Sequence, residues 1–184
     1  MSQDHLIDQL GVLAKSLFQK DFFSLYHGSI SAKTQKDSFL INKKEAIFDN
    51  INKNTLIELN MNVDYRYKQA SIDADIHKNI YNSISDAKFI IFCTPPHSLS
   101  YSLQHNVVIP KDYFGHKLFN SLEIYNPQNF EQWHERAKNE ILQYFLHNKT
   151  DIMLIRGYGI FAYNRDPHEI IKKIAVLEKS CSLL

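Results

Sequence analysis

Apolar residues recur every three or four positions in several segments of the chain, and this period predicts amphipathic helices. Four leucines between positions 6 and 17 mark the first helix, and isoleucines at every fourth position mark a second from about Ser71 to Ser83. Pro96 begins a third, because the missing N–H of proline needs no partner in a first turn. A long helix is predicted by Phe130, Trp133, Ala137, Ile141 and Phe145, and the start of the last helix by Asp166, Pro167 and Glu169.

Short apolar runs rich in β-branched and aromatic residues lie between these helices and predict β-strands. They lie at 28–42, 56–60, 88–93, 107–110, 122–126, 151–156 and 160–164. The first of these segments contains two strands, so it is predicted to be a hairpin, and 151–164 is predicted to be another. Hairpins require antiparallel pairing, whereas strands separated by helices favour an α/β domain. We therefore expect one mixed sheet with helices on both faces.

Length and charge narrow the class of protein. The 184 residues suit a single domain spanning 1–184, and 21 basic against 20 acidic side chains give no basic surface for nucleic acid or for an anionic membrane. Asp4 and Asp8 interrupt the N-terminal apolar pattern, and no run of about twenty apolar residues occurs. Cys93 and Cys181 lack a zinc-binding spacing and are interpreted as buried thiols. We expect a cytoplasmic protein with no membrane segment.

Five segments match, in order, the motifs of one family. HGSISAK at 27–33 is similar to a G-N-x-S phosphate loop, with the strand SFLIN after it, and ASIDADIHKNIY at 70–81 is similar to P-S-S-E-x-x-x-H-x-x-I-Y. KFIIFCTPPH is similar to a V-V-H-x-H strand, and DIMLIRGYGIFAYNRDPHE to an L-L-R-x-H-G strand and turn. The chain thus resembles the class II aldolase/adducin head-domain family, which includes L-fuculose-phosphate aldolase. The resemblance implies a three-layer αβα sandwich around a mixed, largely antiparallel β-sheet.

The resemblance implies that catalytically active members of this family bind a zinc ion through three histidines. The zinc ion stabilises the enediolate that forms when a sugar phosphate is cleaved or epimerised. Those histidine positions are occupied here by Phe92, Thr94 and Tyr158. A phenyl ring offers no donor, a neutral threonine hydroxyl is a poor ligand, and a phenol with a pKa of about 10 keeps its proton. The usual zinc site is therefore predicted to be absent, and with it an effect worth several kcal/mol to the reaction.

At the other positions that the family resemblance marks as functional, this sequence has some of the same types of residue. Asp73 falls where the family has its catalytic glutamate, so it is a candidate general acid or base, although a negative charge in a first helical turn also has a structural explanation. Candidate donors to a small anion are Gly28, Ser29, Ser31, Ser71 and Lys43 or Lys44. Turn and cap roles explain the glycine and the serines equally well.

Other chemistry is weakly indicated. A relocated metal site would need the fold to gather histidines from His77, His97, His105 and His116, none of which forms an H-x-H or H-x-x-x-H pair. His77 matches a family position that is not a metal ligand, which favours a packing role. Cys93 and His97 lie four residues apart and suggest a nucleophile and base, but a buried thiol is the favoured interpretation.

Two functional hypotheses follow. In the first, the protein is a pseudoenzyme without a cofactor that acts by binding a small anionic ligand such as a sugar phosphate, another copy of itself or a protein partner, as the adducin head does. In the second, it is a sugar-phosphate aldolase or epimerase with altered residues or a relocated zinc ion. The family enzymes are ring-shaped tetramers with sites between subunits, so the resemblance also implies a homo-oligomer.

Overall fold

The computed structural model describes residues 3–25 and 27–184 as alternating helices and strands. The helices are α1 (Gln3–Phe18), α2 (Ala74–Ser83), α3 (Pro96–Gln104), α4 (Tyr113–Phe119), α5 (Trp133–Asn148) and α6 (Pro167–Cys181), with 3₁₀ turns at Phe48–Asn50 and Tyr65–Gln69. The strands are β1 (Ser29–Gln35), β2 (Ser38–Asn42), β3 (Leu56–Asn60), β4 (Phe89–Cys93), β5 (Val107–Val108), β6 (Leu122–Tyr125), β7 (Ile152–Ile155) and β8 (Gly159–Asn164). Every helix and strand predicted from the sequence is present.

The strands form one eight-stranded sheet in the order β3-β2-β1-β4-β8-β7-β6-β5. Neighbouring strands pair antiparallel except β6 and β7, which are parallel. Both predicted hairpins, β1–β2 and β7–β8, are present. The prediction of a mixed, largely antiparallel sheet is confirmed.

Alternate residues of the central strand β4 enter different hydrophobic cores, because successive side chains of a strand point to opposite faces. Ile91 and Cys93 pack in a core with leucines of α1 and isoleucines of α6. Ile90 and Phe92 pack in a second core with apolar residues of α2 and α5. Helices therefore cover both faces of the sheet, and the predicted three-layer αβα sandwich is confirmed.

Two helix starts differ from the prediction. α2 begins at Ala74 rather than Ser71, because Ser71 donates its backbone N–H to the carbonyl of Asn42 at 2.9 Å and so ties this turn to β2. α5 begins at Trp133, and Phe130 precedes it with 52% of its surface exposed, so Phe130 does not belong to the buried stripe. In both cases the spacing of apolar residues begins before the helix does, so the helix starts later than predicted.

The residues that predict the starts of α6 and α3 do lie at the beginning of these helices. The Asp166 side chain accepts a hydrogen bond from the N–H of His168 at 2.9 Å, and Pro167 is the first residue of α6, as predicted. Pro96 likewise occupies the first turn of α3.

No helix within residues 3–25 and 27–184 is long and apolar enough to cross a membrane.

Candidate functional site

A cavity of about 400 Å³ lies where β1 begins and β2 and β4 end, beside the first turn of α2 and the turn between β7 and β8. Its volume is in the range that holds a small molecule. Polar side chains line part of it, and aromatic rings and small or aliphatic residues line the remainder. The polar residues are His27, Asn42, Lys44, Ser71, Asp73 and His134, and the aromatic ones are Phe48, Phe92 and Tyr158.

Asn42 holds the polar side of the cavity together. Its side-chain oxygen accepts the N–H of Ile30 on β1 at 2.9 Å, and its carbonyl accepts the N–H of Ser71. Lys44 then donates its N–H to the carbonyl of Gln69 at 3.0 Å. The turn that carries Ser71 is therefore fastened to the end of β2, which places Ser71 and Lys44 on the same cavity.

Gly28 permits a close approach at the start of β1. Its φ is +152°, and a Cβ at this position would lie 2.4 Å from the ring of Phe23, which stacks on Phe48 with 4.1 Å between ring centroids. Only glycine fits such backbone geometry beside a packed ring. Gly28, which the sequence analysis selects as a candidate anion-binding residue, is part of the cavity wall.

Two of the three positions at which the resemblance implies zinc ligands form an aromatic stack. The ring of Phe92 stacks on Tyr158 with 4.8 Å between centroids and on Phe161 with 4.6 Å. Gly159 lets β8 pack against this stack, because a Cβ there would lie 2.7 Å from the Phe92 ring. Burial and the nearby Asp73 raise the pKa of the Tyr158 phenol above its ordinary value of 10.0, so the hydroxyl stays protonated.

Thr94, the third position, does not line the cavity. It is half-buried just after β4, and its backbone N–H donates to the carbonyl of Phe22 at 2.7 Å. Within residues 3–25 and 27–184, no three His, Cys, Asp or Glu side chains converge on a position that could hold a metal ion. The zinc ion implied by the resemblance therefore does not fit the donors present.

Asp73 is the most unusual group of the cavity wall. Only 2% of its surface is exposed, and its Oδ2 accepts a hydrogen bond from the hydroxyl of Ser29 at 2.8 Å. Its Oδ1 is buried with no hydrogen-bond partner among the described residues. Burial raises the pKa of Asp73 from 3.8 to about 6, against the opposing effects of the Ser29 hydrogen bond and of the neighbouring His134 and His27. Asp73 precedes α2 without capping it through its side chain, so a cap does not account for its burial.

Behind Asp73 a hydrogen-bonded chain of side chains runs between β1 and α2. Ser29 Oγ lies 2.8 Å from His77 Nε2, His77 Nδ1 lies 2.6 Å from Ser31 Oγ, and Ser31 Oγ lies 2.7 Å from the Tyr81 hydroxyl. Burial lowers the pKa of His77 to about 3, so its imidazole is neutral. His77 packs in the core, as predicted, but both of its ring nitrogens are also hydrogen-bonded.

The predicted anion-binding residues separate into two groups. Gly28, Lys44 and Ser71 line the cavity, whereas Ser29 and Ser31 are fully buried behind its wall and do not. Lys43 points away and donates from Nζ to the carbonyl of Asn54 at 2.7 Å. The hydroxyl of Ser71 accepts the N–H of Asp73 at 3.3 Å, which leaves its own proton for an acceptor in the cavity.

The histidines weighed for a relocated metal site are not brought together. His97 pairs with Glu178 through Nδ1 at 2.7 Å, and His105 stacks on Tyr101 with 4.0 Å between centroids. His116 is on α4. Cys93 is fully buried. Burial is the main cause that raises the pKa of its thiol, and the nearby Glu178 raises it further, so Cys93 is not an activated nucleophile.

Three polar wall residues were missed by the sequence reasoning: His27, Asn42 and His134. Asn42 carried a usable signal, because an amide at the end of the apolar strand SFLIN is out of pattern. His134 comes from the first turn of α5, far along the chain, and no local pattern connects it with the cavity.

Comparison with known proteins identifies the family. The model of the Class II Aldolase and Adducin N-terminal domain matches residues 8–184. The chain belongs to this family. No curated protein matches the chain.

Solved structures share the fold over nearly the whole chain. L-fuculose-1-phosphate aldolase from Thermus thermophilus is 19% identical, with a TM-score of 0.80 over 97% of this chain and 91% of that one. A sugar-phosphate aldolase from Thermotoga maritima is 14% identical, with a TM-score of 0.75 over 97% and 93%. The N-terminal Class II Aldolase domain of a conserved protein from Thermoplasma acidophilum is 13% identical, with a TM-score of 0.72 over 100% and 95%. At these identities the likeness concerns the fold.

Proposed function

We propose that this class II aldolase family member is a pseudoenzyme that binds a small anionic ligand of the sugar-phosphate class, without a zinc ion, in the cavity between Lys44 and Tyr158. The observation that carries the proposal is a single cavity lined both by a cation and a hydroxyl donor, Lys44 and Ser71, and by Phe92 and Tyr158, which stack where the family resemblance implies metal ligands.

The Lys44 side of the cavity supports binding of an anion. Lys44 supplies a positive charge. The hydroxyl oxygen of Ser71 accepts the N–H of Asp73, so the hydroxyl proton of Ser71 is left to donate to an anion. The same wall includes the N-terminal end of α2, where the helix dipole favours negative charge. Charge-assisted hydrogen bonds of this kind are stronger than neutral ones.

The other lining residues support binding of the uncharged part of such a ligand. Phe92 is stacked between Tyr158 and Phe161, so Tyr158 is the ring of this stack that is left to contact the apolar face of a sugar ring. Asp73, which lies next to Ser71 at the start of α2, has one oxygen without a hydrogen-bond partner among the described residues, and this suits a ligand hydroxyl. A phosphorylated polyol satisfies both sides of the cavity at once.

Phosphorus-31 NMR titration in the presence of EDTA tests the proposal. We expect saturable binding of phosphorylated ketoses, such as L-fuculose 1-phosphate, by protein that retains no stoichiometric zinc by elemental analysis. Lys44→Ala should weaken binding about tenfold or more, because a charged hydrogen bond contributes about 1.5 to 3 kcal/mol. Lys43→Ala is the matched control, since Lys43 is bonded to Asn54 outside the cavity, and should bind normally. Equal affinity of the two variants, or zinc that survives dialysis and is needed for binding, would contradict the proposal.

A second candidate function is supported by Asp73 alone. A buried carboxyl with a pKa of about 6 beside a cavity is suited to proton transfer near neutral pH, as in a metal-independent aldolase or epimerase acting on sugar phosphates. Under this hypothesis purified protein converts a phosphorylated ketose, and Asp73→Asn abolishes the conversion without weakening binding. Under the pseudoenzyme proposal, a panel of such sugars is bound but recovered unchanged.

We further propose that the protein is a homo-oligomer, with a tetramer as the arrangement suggested by the family resemblance. Exposed apolar side chains beside the cavity support this: Ile72 is 70% exposed, Leu103 59% and Phe130 52%. Leu103 and Phe130 both lie against Gly157. Sedimentation velocity should give a mass that is a multiple of 21.5 kDa, and Phe130→Glu with Leu103→Glu should reduce it. A monomer at all concentrations would contradict this proposal.

A further inference from the structure

The buried chain of hydrogen bonds behind Asp73 has a definite donor direction. Its members are Asp73, Ser29, His77, Ser31 and Tyr81, and each hydroxyl in it has one proton to donate. Because the His77 imidazole is neutral, one ring nitrogen donates and the other accepts. If each serine hydroxyl also donates its proton within this chain, assigning one proton assigns all the others.

In the first assignment, protons point toward Asp73. Tyr81 donates to Ser31, Ser31 donates to Nδ1 of His77, and Nε2–H of His77 donates to Ser29. Ser29 then donates to Oδ2 of Asp73. All four contacts are short, between 2.6 and 2.8 Å, and no donor in the chain is left without an acceptor.

In the second assignment, every bond reverses. Oδ2 of Asp73 must carry a proton and donate it to Ser29, and the Tyr81 hydroxyl must find another acceptor, because it now accepts from Ser31. The carbonyl of Lys88 is the acceptor available, at 3.4 Å. That distance lies outside the usual range for an O–H···O bond, so the reversed chain leaves a buried phenol proton poorly paired.

We propose that His77 and Ser29 are positioning residues that keep Oδ2 of Asp73 an acceptor, so that the exchangeable proton of this carboxyl is carried by Oδ1, the oxygen left for a group bound in the cavity. His77 is then the Nε2–H tautomer. Oδ1 has no hydrogen-bond partner among the described residues, and Asp73 lines the cavity, so Oδ1 is the carboxyl oxygen that remains for a group bound there. The functional part of this inference rests on the proposed ligand cavity, whereas the tautomer does not.

Several charged or titratable groups face this carboxyl and act on the same proton. His27 and His134 favour the ionised carboxylate, and Lys44 and Tyr158 line the same cavity. Behind the wall, His77 and Tyr81 are neutral, because burial lowers the pKa of the imidazole and raises that of the phenol. The tautomer of His77 separates the effect of the chain from that of these neighbours, because none of them is hydrogen-bonded to its ring.

Long-range nitrogen-15 NMR of the imidazoles in ligand-free wild-type protein tests the inference without a mutation. We expect His77 to show the Nε2–H tautomer at every pH between 5 and 8, including on both sides of the Asp73 titration. The Nδ1–H tautomer, or a switch between tautomers as Asp73 titrates, would overturn the proposal.

A matched pair of serine variants tests the positioning role. Ser29→Ala removes the bond to Oδ2, and we expect the Asp73 titration, followed by its carboxyl carbon-13 shift, to move up by about one pH unit. Ser31→Ala removes a hydroxyl of the same strand that does not touch Asp73 and should move it much less. Equal shifts in both variants would overturn the role of Ser29.

The two proposals can fail separately. If His77 has the expected tautomer but no phosphorylated ligand binds, the ligand proposal fails and the assignment of the buried chain stands. If ligands bind and the tautomer is Nδ1–H, the positioning proposal fails and the ligand proposal stands.

Discussion

The buried carboxyl of Asp73 should make the protein less stable as pH rises through the acid range. Its pKa is raised from 3.8 to about 6 in the folded state, because burial disfavours the charge. The folded state therefore binds this proton more tightly than the unfolded state does. Asp73 costs no stability well below pH 3.8, costs progressively more up to about pH 6, and costs a constant amount above that.

The magnitude follows from the two pKa values. A difference of about 2 units, at 1.36 kcal/mol per unit, corresponds to about 3 kcal/mol above pH 6. At pH 4 the unfolded carboxyl is only partly ionised while the folded one keeps its proton, so the accumulated cost is still about 0.5 kcal/mol. Asp73→Asn removes the titration, so the stability of the variant relative to wild type should improve by about 2 kcal/mol between pH 4 and pH 7.5, or about 4 to 8 °C in Tm.

Urea unfolding of wild type and Asp73→Asn at several pH values between 4 and 7.5 measures this change. Any fixed cost of the amide, such as an unpaired N–H, cancels in the comparison across pH. Asp75→Asn removes a carboxylate from α2 that is 50% exposed and paired with Lys78, so this control should keep the wild-type pH dependence. Parallel curves for wild type and Asp73→Asn would refute the reasoning, since Asp73 would then titrate alike in both states.

Three further predictions concern the fold. Leu10→Ala should lower the free energy of unfolding in urea by about 2 to 5 kcal/mol, because Leu10 is fully buried. Val12→Ala, on the exposed side of α1, should change it by about 0.5 kcal/mol or less. Similar losses in the two variants would contradict the assigned faces of the helix. Gly159→Ala should lower the free energy of unfolding by about 2 kcal/mol or more, measured by thermal unfolding. The reason is that the φ of Gly159 is +148° and a Cβ there would lie 2.5 Å from the carbonyl oxygen of Cys93. An unchanged Tm would disprove this close approach. Asp166→Ala should cost about 1 kcal/mol by chemical denaturation as the cap of α6 is lost, and no loss would show that the cap bond is replaced.

Most of the fold could be predicted because its elements are encoded by short-range patterns. The period of apolar residues predicted α1, α2 and α5, and the start of α6 is indicated by three residues, Asp166, Pro167 and Glu169. The boundaries failed where tertiary contacts decide them, as at Ser71, which is held by Asn42 instead of joining the helix.

The sequence allowed candidate residues for the site to be named, but not their arrangement. Asp73, Gly28, Ser71 and Lys44 were recognised from motifs, and all four line one cavity. Ser29 was recognised by the same motif, yet it faces the buried side and bonds to Asp73 and His77. Motif resemblance identifies a position but does not tell which neighbours its side chain meets.

The sequence by itself determined which atoms are available: a phenyl ring, an alcohol and a phenol at Phe92, Thr94 and Tyr158, and a carboxyl at Asp73. No folding of the chain can give the phenyl ring a donor atom. Only the tertiary structure decided what these atoms meet, because Ser29 and Asp73 are 44 residues apart and come together through the placement of α2 beside β1. Burial and direction of hydrogen bonds arise from that packing, and they set the proton affinity on which the chemistry of the cavity depends.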